Sequence, residues 1–441
     1  MSNRWTKEDI LQKVEEEDVE FIRLQFTDLF GNLKNVAITA KQLEKALRRE
    51  CVFDGSSIEG FAKIEDSDLY FYPDLSSFTI FPWRPQQGKV ARIICDIYRP
   101  DGTPFLGDPR YVLRKTIAKA KEMGYHFEVG NECEFFLFDT DENGNPTEGS
   151  QERGGYFDLG PTDLGENVRR DMVLALEDMG LCVEASHHEA APAQHEIDFG
   201  PEEVLRAADD MVTSKLAIKT IARKFGLYAS FMPKPKSGQH GSGLHLYFSL
   251  SKDGENVFCD TEDPLGLSPT ARYFIGGLMR HIKGMSLILN PVVNSYKRLS
   301  SGYEAPADIA WSTGNRSPLI RIPSERGEST RIELRSPDSM GNPYLTLALS
   351  LAAGLDGITH KILPNEPVSG NINELSPKEK EGLGLSKLPA TLEEAIAELK
   401  ADTFLKEVLG SHVYEQYVKA KEEEWQDYSG RVTDWELEKY L

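Results

Sequence analysis

The sequence of 441 residues contains few cysteines, no long apolar run and no excess of basic residues. Its five cysteines are scattered without a C-x-x-C pair, which argues against disulfides and thiolate zinc sites and favours a cytoplasmic protein with reduced thiols. The most apolar stretch, 344–358, is interrupted by Ser350, Gly354 and Asp356 and is too short to cross a bilayer. The net charge of −21 opposes contact with nucleic acid or anionic membranes, so neither is an expected partner.

Several common functional motifs are also missing. No G-x-x-x-x-G-K-[ST] loop is present, so an ATP-dependent enzyme with this sequence would have to hold phosphate through metals and arginines. The H-E-x-x-H motif of zinc proteases is not formed, because Pro192 stands three residues after Glu189. The segment 139–150 begins like a calcium-binding loop, but Ser150 replaces the glutamate expected at its twelfth position.

Length and composition predict two domains. A chain of 49.5 kDa exceeds what one hydrophobic core usually supports. Proline, glycine and aspartate concentrate in 99–109, so we place the boundary there, with domains at 1–104 and 105–441. In the first domain, alternating apolar and polar residues over 20–29 and 34–38 predict a β-hairpin.

The second domain combines helices with strands. Helical periodicity and terminal signals predict helical segments over 109–123, 166–179, 202–225, 271–288, 343–355 and 392–441. Three strand-like segments place their polar residues two apart, so that these residues share one face. The shared faces carry Glu132 and Glu134 in the first segment, His245, Tyr247 and Ser249 in the second, and Arg331, Glu333 and Arg335 in the third.

A polar strand face is usually a solvent-exposed face, and for a single strand that interpretation would stand. Three strands that repeat Glu, His and Arg, instead of Lys, Thr and Gln, favour a binding site. The segment 184–199 adds Glu189 and Glu196, separated by Pro192, which prevents one continuous helix. Crowded carboxylates must bind protons or cations. Oxygen-rich ligands with one imidazole suit Mg²⁺ or Mn²⁺, and we expect at least two ions, held by Glu132, Glu134, Glu189, Glu196, His245 and Glu333.

The span 297–335 is locally basic within this acidic chain. It contains seven basic residues, six of them arginine, and five acidic residues. Arginine binds carboxylate and phosphate through paired hydrogen bonds. Divalent cations together with arginines are what the transfer of a γ-phosphoryl group requires, which predicts an ATP-dependent enzyme.

The sequence motifs resemble those of bacterial type I glutamine synthetases along essentially the whole chain. Eight motifs occur in the family's order: FDGSSIEGF at 53–61, ECEFF at 132–136, GGYFD at 154–158, SHHE with QHEIDF within 186–199, HGSGLH at 240–245, NSYKRL-x-x-GYEAP at 294–306, NRSPLIRIP at 315–323, and TRIELR with NPYL within 330–345. The resemblance implies an α+β protein. It would have a small N-terminal β-grasp-like domain and a larger C-terminal catalytic domain with a curved antiparallel sheet backed by helices.

The resemblance also implies an activity and a role for each site residue. ATP would phosphorylate the γ-carboxylate of L-glutamate, and ammonia would displace phosphate to give glutamine. One metal would be held by Glu134, Glu189 and Glu196, and the other by Glu132, His245 and Glu333. The residues that would contact glutamate are Gly241, Arg298, Glu304, Arg316 and Arg335. Those that would contact ATP are Glu184, the strand from Tyr247 to Ser249, Arg316 and Arg321. Ammonium would bind at Asp54, Ser57 and Tyr156. Asp54, Glu304, Arg316 and Arg335 would be the catalytic residues.

Members of the family form two stacked six-membered rings, with each active site between adjacent subunits. By resemblance, the N-terminal domain would supply Asp54 to the site of its neighbour. Asn373 stands where some members carry a tyrosine that is adenylylated, so that control is not expected. The 53–68 region resembles the same region of the feedback-inhibited enzymes of Gram-positive bacteria, although Lys63 stands where those enzymes commonly have arginine. By the same resemblance, a nitrogen-regulator protein would be a further partner.

Three other interpretations stay open at this point. A sibling enzyme could join glutamate to a polyamine or another amine, and His240, where asparagine is usual, slightly favours it. Asp54 and Tyr156 argue against it, because they suit a small cation. The chain could also be a catalytically silent nitrogen sensor, which the intact metal and arginine sets disfavour. A guanidino kinase is disfavoured because its cysteine-bearing loop is not evident.

Overall fold

The fold is known from a computed structural model. It describes residues 5–62, 64, 67–84, 87–147, 152–300 and 305–441. Lys63 and Glu304, which the resemblance assigns to feedback and catalysis, lie outside the described residues, so their predicted roles stay predictions. Two separate clusters of buried apolar side chains lie beneath the two principal sheets.

The N-terminal part is built around a sheet in which strands neighbour one another in the order β2-β1-β6-β4-β3, with β5 also paired to β6. Its elements are α1 (Lys7–Glu16), β1 (Val19–Thr27), β2 (Leu33–Thr39), α2 (Leu43–Leu47), β3 (Val52–Asp54), β4 (Asp68–Pro73), β5 (Thr79–Ile80) and β6 (Lys89–Tyr98). The predicted hairpin is confirmed, since β1 and β2 pair antiparallel. Strands β1 and β6 are parallel, and Ile22, Leu24 and Ile93 bury their apolar face.

The C-terminal part is built around a larger sheet with the strand order β14-β15-β16-β11-β7-β9-β8. Its elements are α3 (Pro109–Glu122), β7 (His126–Asp139), α4 (Glu166–Asp178), β8 (Val183–His188), β9 (Gln194–Glu203), α5 (Val204–Lys224), β10 (Leu227–Ser230), β11 (Leu244–Lys252), β12 (Glu255–Asn256), α6 (Pro269–Leu289), α7 (Val293–Leu299), β13 (Asp308–Ile309), β14 (Trp311–Thr313), β15 (Ile320–Ile322), β16 (Ile332–Leu334), α8 (Pro343–His360), α9 (Pro377–Gly382), β17 (Ser386–Lys387), α10 (Leu392–Ala401), α11 (Thr403–Leu409), α12 (Ser411–Ser429) and α13 (Asp434–Tyr440). Its strands pair antiparallel except β14 and β15. The predicted α+β architecture is therefore confirmed.

Helices α5 and α8 differ from their predicted bounds for physical reasons, and the predicted helical segment 392–441 is divided into α10, α11, α12 and α13. Helix α5 begins at Val204 instead of residue 202, because β9 continues to Glu203. Helix α8 continues past residue 355, because Gly357 is a packing position and not a stop. A methyl group on Gly357 would lie 2.0 Å from the carbonyl oxygen of Tyr273. Glycine at this position therefore allows the backbones of α6 and α8 to approach closely.

A buried ionic network joins the two sheets. Arg110, at the start of α3, is 3% exposed and lies 2.8 Å from Asp209 on α5. The same guanidinium lies 2.7 Å from Asp74 and 2.5 Å from Asp96 on β6. A buried guanidinium shared by three carboxylates fixes the position of the N-terminal sheet against α3 and α5, because separating them would leave buried charges unpaired. Among the described residues, no helix is long and apolar enough to cross a membrane.

A second buried ionic group holds α6 against its neighbours. His281 lies with Nδ1 2.7 Å from an Asp402 oxygen and Nε2 3.1 Å from an Asp356 oxygen. Both ring nitrogens face carboxylates, so His281 is best accommodated as an imidazolium. Burial alone lowers the pKa of His281, but the hydrogen bonds to Asp402 and Asp356 outweigh it and raise the pKa above its ordinary value.

We predict that this group makes stability depend on pH. Because the folded pKa of His281 is raised, its contribution is complete below the ordinary pKa of about 6.5 and is lost as pH rises through the folded value. His281→Gln should lower the free energy of unfolding by about 1.5–3 kcal/mol at pH 6, and by less at pH 9. Thermal unfolding across pH measures the difference, with the exposed His126→Gln as control. A penalty that stays constant from pH 6 to pH 9 would contradict the assignment.

Candidate active site

The register of the large sheet places titratable side chains opposite one another. Strand β7 lies between β11 and β9, and β9 pairs in turn with β8. Two rows cross these strands: His245, Glu132 and Asp198 in one, and Glu134, Glu196 and His187 in the other. Side chains directly opposite on antiparallel strands have Cβ atoms only about 5 Å apart. The intervening Cys133 and Ile197 are buried in the core.

These rows form the floor of a cavity of about 590 Å³. The predicted residues that line it are Glu132, Glu134, Tyr156, Glu189, Glu196, His240, Gly241, His245, Tyr247, Arg298, Arg316, Arg321, Glu333 and Arg335. The structure therefore brings together the six predicted metal ligands and the described residues predicted to bind glutamate. Of the predicted residues that the structure describes, Asp54, Ser57, Glu184 and Ser249 do not line the cavity.

Glu132, His245 and Glu333 form one close group on the floor. One candidate ligand atom from each lies within 4.8 Å of the others. His245 Nδ1 lies 2.8 Å from Glu132, and the Tyr247 hydroxyl donates a hydrogen bond to the same carboxylate. Burial alone raises the pKa of Glu132, but the hydrogen bond and charge of His245 outweigh it and lower the pKa to about 2. Glu132 is therefore held ionised, as a metal ligand must be.

Glu333 connects this group to the arginines. Its carboxylate is fully buried, lies 2.7 Å from Arg321 Nη1, and also accepts a hydrogen bond from Arg335. Two guanidinium groups balance a charge that would be costly to bury alone. They are thereby fixed in orientation beside the candidate cation site.

Glu134, Glu189 and Glu196 lie on the other side of the floor. Glu134 accepts hydrogen bonds from the Gly243 N–H at 2.8 Å and from Gln194 at 3.2 Å. Burial raises the pKa of Glu196, and the nearby Glu134 carboxylate raises it further. A carboxyl group in this position retains a proton unless a cation replaces it, so the crowding fits a site for divalent ions.

The arginine side of the cavity is rigid. Arg298 is 3% exposed, and its guanidinium donates to the carbonyl oxygens of Arg335 at 3.1 Å, Ser336 at 2.8 Å and Pro337 at 3.2 Å. Buried carbonyl groups neutralise only part of its charge. The cavity therefore presents a fixed positive wall opposite its acidic floor, an arrangement that suits an anionic substrate.

The predicted ammonium residues are not brought together within one chain. Asp54 ends β3 and is exposed; it accepts hydrogen bonds from the N–H and hydroxyl of Ser56 at 2.8 and 2.7 Å. Tyr156 lines the cavity, whereas Asp54 and Ser57 do not. The role of Asp54 in the site of a neighbouring subunit therefore stays a prediction.

Sequence reasoning missed Asp198, His187, Gln194 and Phe157, which also line the cavity. Asp198 had a readable signal, because it follows Glu196 by two residues on the same strand face. His187 could not be placed from the sequence, since its position depends on how β8 pairs with β9.

A further buried group lies beside the cavity and is not a cation site. Asp163, His188 and His195 have candidate ligand atoms within 4.8 Å of one another. Arg169 Nη1, however, lies 2.8 Å from Asp163 and donates to His195 Nδ1 at 2.8 Å. A guanidinium already neutralises this group, and the hydrogen bond from Arg169 leaves the proton of a neutral His195 on Nε2.

The fold and the cavity together define a class of enzyme. An acidic floor suited to divalent cations faces fixed arginines over an antiparallel sheet, without a phosphate-binding glycine loop. That combination belongs to enzymes that transfer phosphoryl groups and hold the phosphates through metals and guanidinium groups.

Comparison with known proteins identifies the family. The family model "Glutamine synthetase, beta-Grasp domain" matches residues 18–100, and "Glutamine synthetase, catalytic domain" matches residues 106–440. The chain is 59% identical to glutamine synthetase of Clostridium saccharobutylicum, covering 99% of both chains, and 56% identical to that of Methanosarcina mazei, covering 99% of this chain and 98% of the relative. A solved structure, the "GmaS/ADP complex", superposes with a TM-score of 0.90 at 32% identity, covering 98% of this chain and 99% of the other.

The chain therefore belongs to the glutamine synthetase family. The predicted β-grasp and catalytic folds are confirmed, and so is the predicted activity, the ATP-dependent synthesis of glutamine from glutamate and ammonia. The family uses ATP and divalent metal ions.

The close packing around Gly243 yields a test of this geometry. A methyl group there would lie 2.6 Å from Arg298 Nη2 and 3.1 Å from His245 Nε2. Gly243→Ala should therefore displace both side chains and lower kcat/KM by about 100-fold, the usual cost of misplacing a reacting group by about 1 Å. Gly382→Ala is the control, because nothing lies within 4 Å of that position. Steady-state kinetics and circular dichroism check both variants, and unchanged kinetics in Gly243→Ala would contradict the proposed placement.

Proposed function

We propose that this cavity makes glutamine in two steps. ATP first phosphorylates the γ-carboxylate of glutamate, and ammonia then displaces phosphate from the γ-glutamyl phosphate. One observation about Glu333 carries the proposal. Glu333 forms a candidate cation site together with Glu132 and His245, and the same carboxylate contacts the guanidinium groups of Arg321 and Arg335. Phosphoryl transfer needs cations and guanidinium groups in one fixed arrangement.

Two divalent ions, Mg²⁺ or Mn²⁺, are proposed for the acidic floor. Glu132, His245 and Glu333 would hold one ion, and Glu134, Glu189 and Glu196 the other. The donor chemistry fits, since carboxylates dominate both sets, and burial together with the nearby Glu134 carboxylate raises the pKa of Glu196. When bound, the ions would polarise the phosphoryl oxygens and neutralise developing charge.

The protein's own side chains bind and orient the substrates in this proposal. Arg298, Gly241 and Arg335 lie on the wall where a glutamate carboxylate would pair with guanidinium. Arg316 and Arg335 would stabilise charge on the transferred phosphoryl group, and Glu304 would act as a further catalytic residue. The nucleotide would contact Tyr247 and Arg321 inside the cavity, with Glu184, Ser249 and Arg316 as its other predicted partners. The similar solved structure of GmaS is a complex with ADP, which supports a nucleotide site.

Ammonium binding and assembly form the next part of the proposal. Asp54 and Ser57 of one subunit would meet Tyr156 of its neighbour in two stacked hexameric rings, and a carboxylate there would attract ammonium and accept its proton. Domains at 1–104 and 105–441 suit this exchange, and the two matched family models meet near that boundary. Adenylylation is not proposed, because Asn373 is exposed without a hydroxyl group.

The chemical proposal predicts dependence on both amine and metal. With ATP, glutamate, ammonium and Mg²⁺, the protein should release glutamine and phosphate in equal amounts. EDTA should abolish the reaction, and Mg²⁺ or Mn²⁺ should restore it. Chromatographic detection of glutamine, with putrescine or ethanolamine in place of ammonium, decides between ammonia and larger amines. A product with putrescine and none with ammonium would overturn the proposal in favour of the polyamine ligase.

The shared-site proposal predicts complementation between inactive variants. Asp54→Ala and Arg316→Gln should each lose about 100-fold or more in kcat, as removal of a charge-stabilising group usually does. Co-expression of the two variants in one oligomer should restore about a quarter of wild-type activity, because each site would combine surfaces of two subunits drawn at random. Separately purified variants mixed at the assay are the control. Mixed oligomers without activity would show that each chain completes its own site.

A further inference from the structure

We infer that His412, on helix α12, is a positioning residue for ammonium binding. It holds the loop of residues 54–62, the ammonium loop, which carries Asp54 and Ser57. The inference rests on the proposed function, which places ammonium at these two residues. His412 lies in the C-terminal part of the chain and does not line the cavity, so it would act only through the loop.

The ammonium loop is closed at its base by backbone hydrogen bonds. The Gly55 N–H donates to the Ser67 carbonyl oxygen at 2.8 Å, and the Ala62 N–H donates to the Gly55 carbonyl oxygen at 3.4 Å. Gly55 is buried, whereas Asp54 and Ser57 are exposed. The base of the loop is therefore fixed beside β4, and the two predicted ammonium residues lie on its outer side.

The far end of the ammonium loop has two contacts of different kinds. Phe61 is 2% exposed, and its ring centroid lies 4.8 Å from that of Phe105. The Gly60 carbonyl oxygen accepts a hydrogen bond from His412 Nε2 at 3.1 Å. Apolar burial holds the loop against the core without a preferred direction, whereas a hydrogen bond fixes the position of a single backbone atom. The bond from His412 therefore sets where this end of the loop lies.

The surroundings of His412 orient its ring. The Phe105 ring meets it edge to face, with the centroids 5.4 Å apart and the planes at 69°. A methyl group on Gly107 would lie 2.8 Å from His412 Nε2, so glycine at that position leaves the space that the ring occupies. A carbonyl oxygen only accepts, and Nε2 therefore carries the proton in the bond to Gly60.

Helix α12 gives this bond a rigid support. Tyr417 is 1% exposed, and its ring centroid lies 5.8 Å from that of Phe30, just after β1. Lys421 Nζ lies 5.6 Å from the centroid of the same Phe30 ring, an additional cation–π contact. The helix is thus packed on the N-terminal sheet one and two turns beyond His412, so the imidazole has a fixed position relative to the base of the loop.

Loss of this bond should affect ammonium binding more than the rate at saturation. Without it, only a fraction of the molecules would present Asp54 and Ser57 in the position that binds ammonium. The apparent affinity falls in proportion to that fraction, whereas saturating ammonium selects the competent position and preserves kcat. Glutamate and ATP are assigned to residues outside the loop, so their KM values should not follow.

Steady-state kinetics of the full-length protein, with each substrate varied in turn, test the inference. His412→Leu keeps the bulk of the side chain but removes the donor. It should raise the KM for ammonium about 3- to 10-fold, the factor that one neutral hydrogen bond is usually worth. Its kcat and its KM values for glutamate and ATP should stay near those of the wild type. His412→Gln retains a nitrogen donor and should restore the KM for ammonium. Glu415→Ala, on the exposed side of the same helix, is the control and should match the wild type.

The outcomes separate this inference from the proposed function. Gel filtration and circular dichroism identify the variants that fold and assemble, and His412→Ala replaces His412→Leu if the latter does not. The inference is overturned by an unchanged KM for ammonium in His412→Leu, by equal rises in all three KM values, or by a His412→Gln variant that behaves like His412→Leu. Asp54→Ala tests the ammonium assignment separately. Unchanged kinetics in that variant would overturn the assignment itself, whereas a loss there with no effect in His412→Leu would overturn only the role of His412.

Discussion

The structure depends on one constraint, the concentration of negative charge on a single face of an antiparallel sheet. Neighbouring strands in register bring Glu132 opposite Asp198 and Glu134 opposite Glu196. Such pairs would repel and destabilise the sheet if nothing balanced them. His245 and the guanidinium groups neutralise part of this negative charge, and ions and protons neutralise the rest. The chemistry of the site is thus a consequence of the charge that the sheet must neutralise.

The opposite face of the same strands supplies the stability that allows this concentration. Cys133, Phe135 and Ile197 alternate with the acidic residues and are buried against the helices. Large apolar burial on one face holds the strands in register, and a one-residue slip would exchange the two faces. The register that buries the core is therefore the register that assembles the cavity.

This dependence explains what could be predicted from the sequence and what could not. Glu132, Glu134, His245 and Glu333 were predictable, because a spacing of two within a strand is visible in the sequence. The meeting of Asp198 with His187 was not, because it depends on pairing between strands that no local pattern encodes. Helix α8 was predicted too short for a similar reason, since the contact that Gly357 makes with another helix is not visible in the local sequence. The motif resemblance supplied the family, whereas the meeting of His187, Glu196 and Asp198 was visible only in the structure.

Asp54 is kept away from the cavity of its own chain by the rigid attachment of the N-terminal sheet. It lies on the N-terminal sheet, outside the cavity of its own chain. The Arg110 network ties that sheet to α3 and α5 through buried carboxylates, and breaking it would leave unpaired buried charges. A hinge motion that carried Asp54 into its own cavity would have to break this network. A second chain can supply the carboxylate without that cost, which is why the proposed ammonium pocket requires assembly.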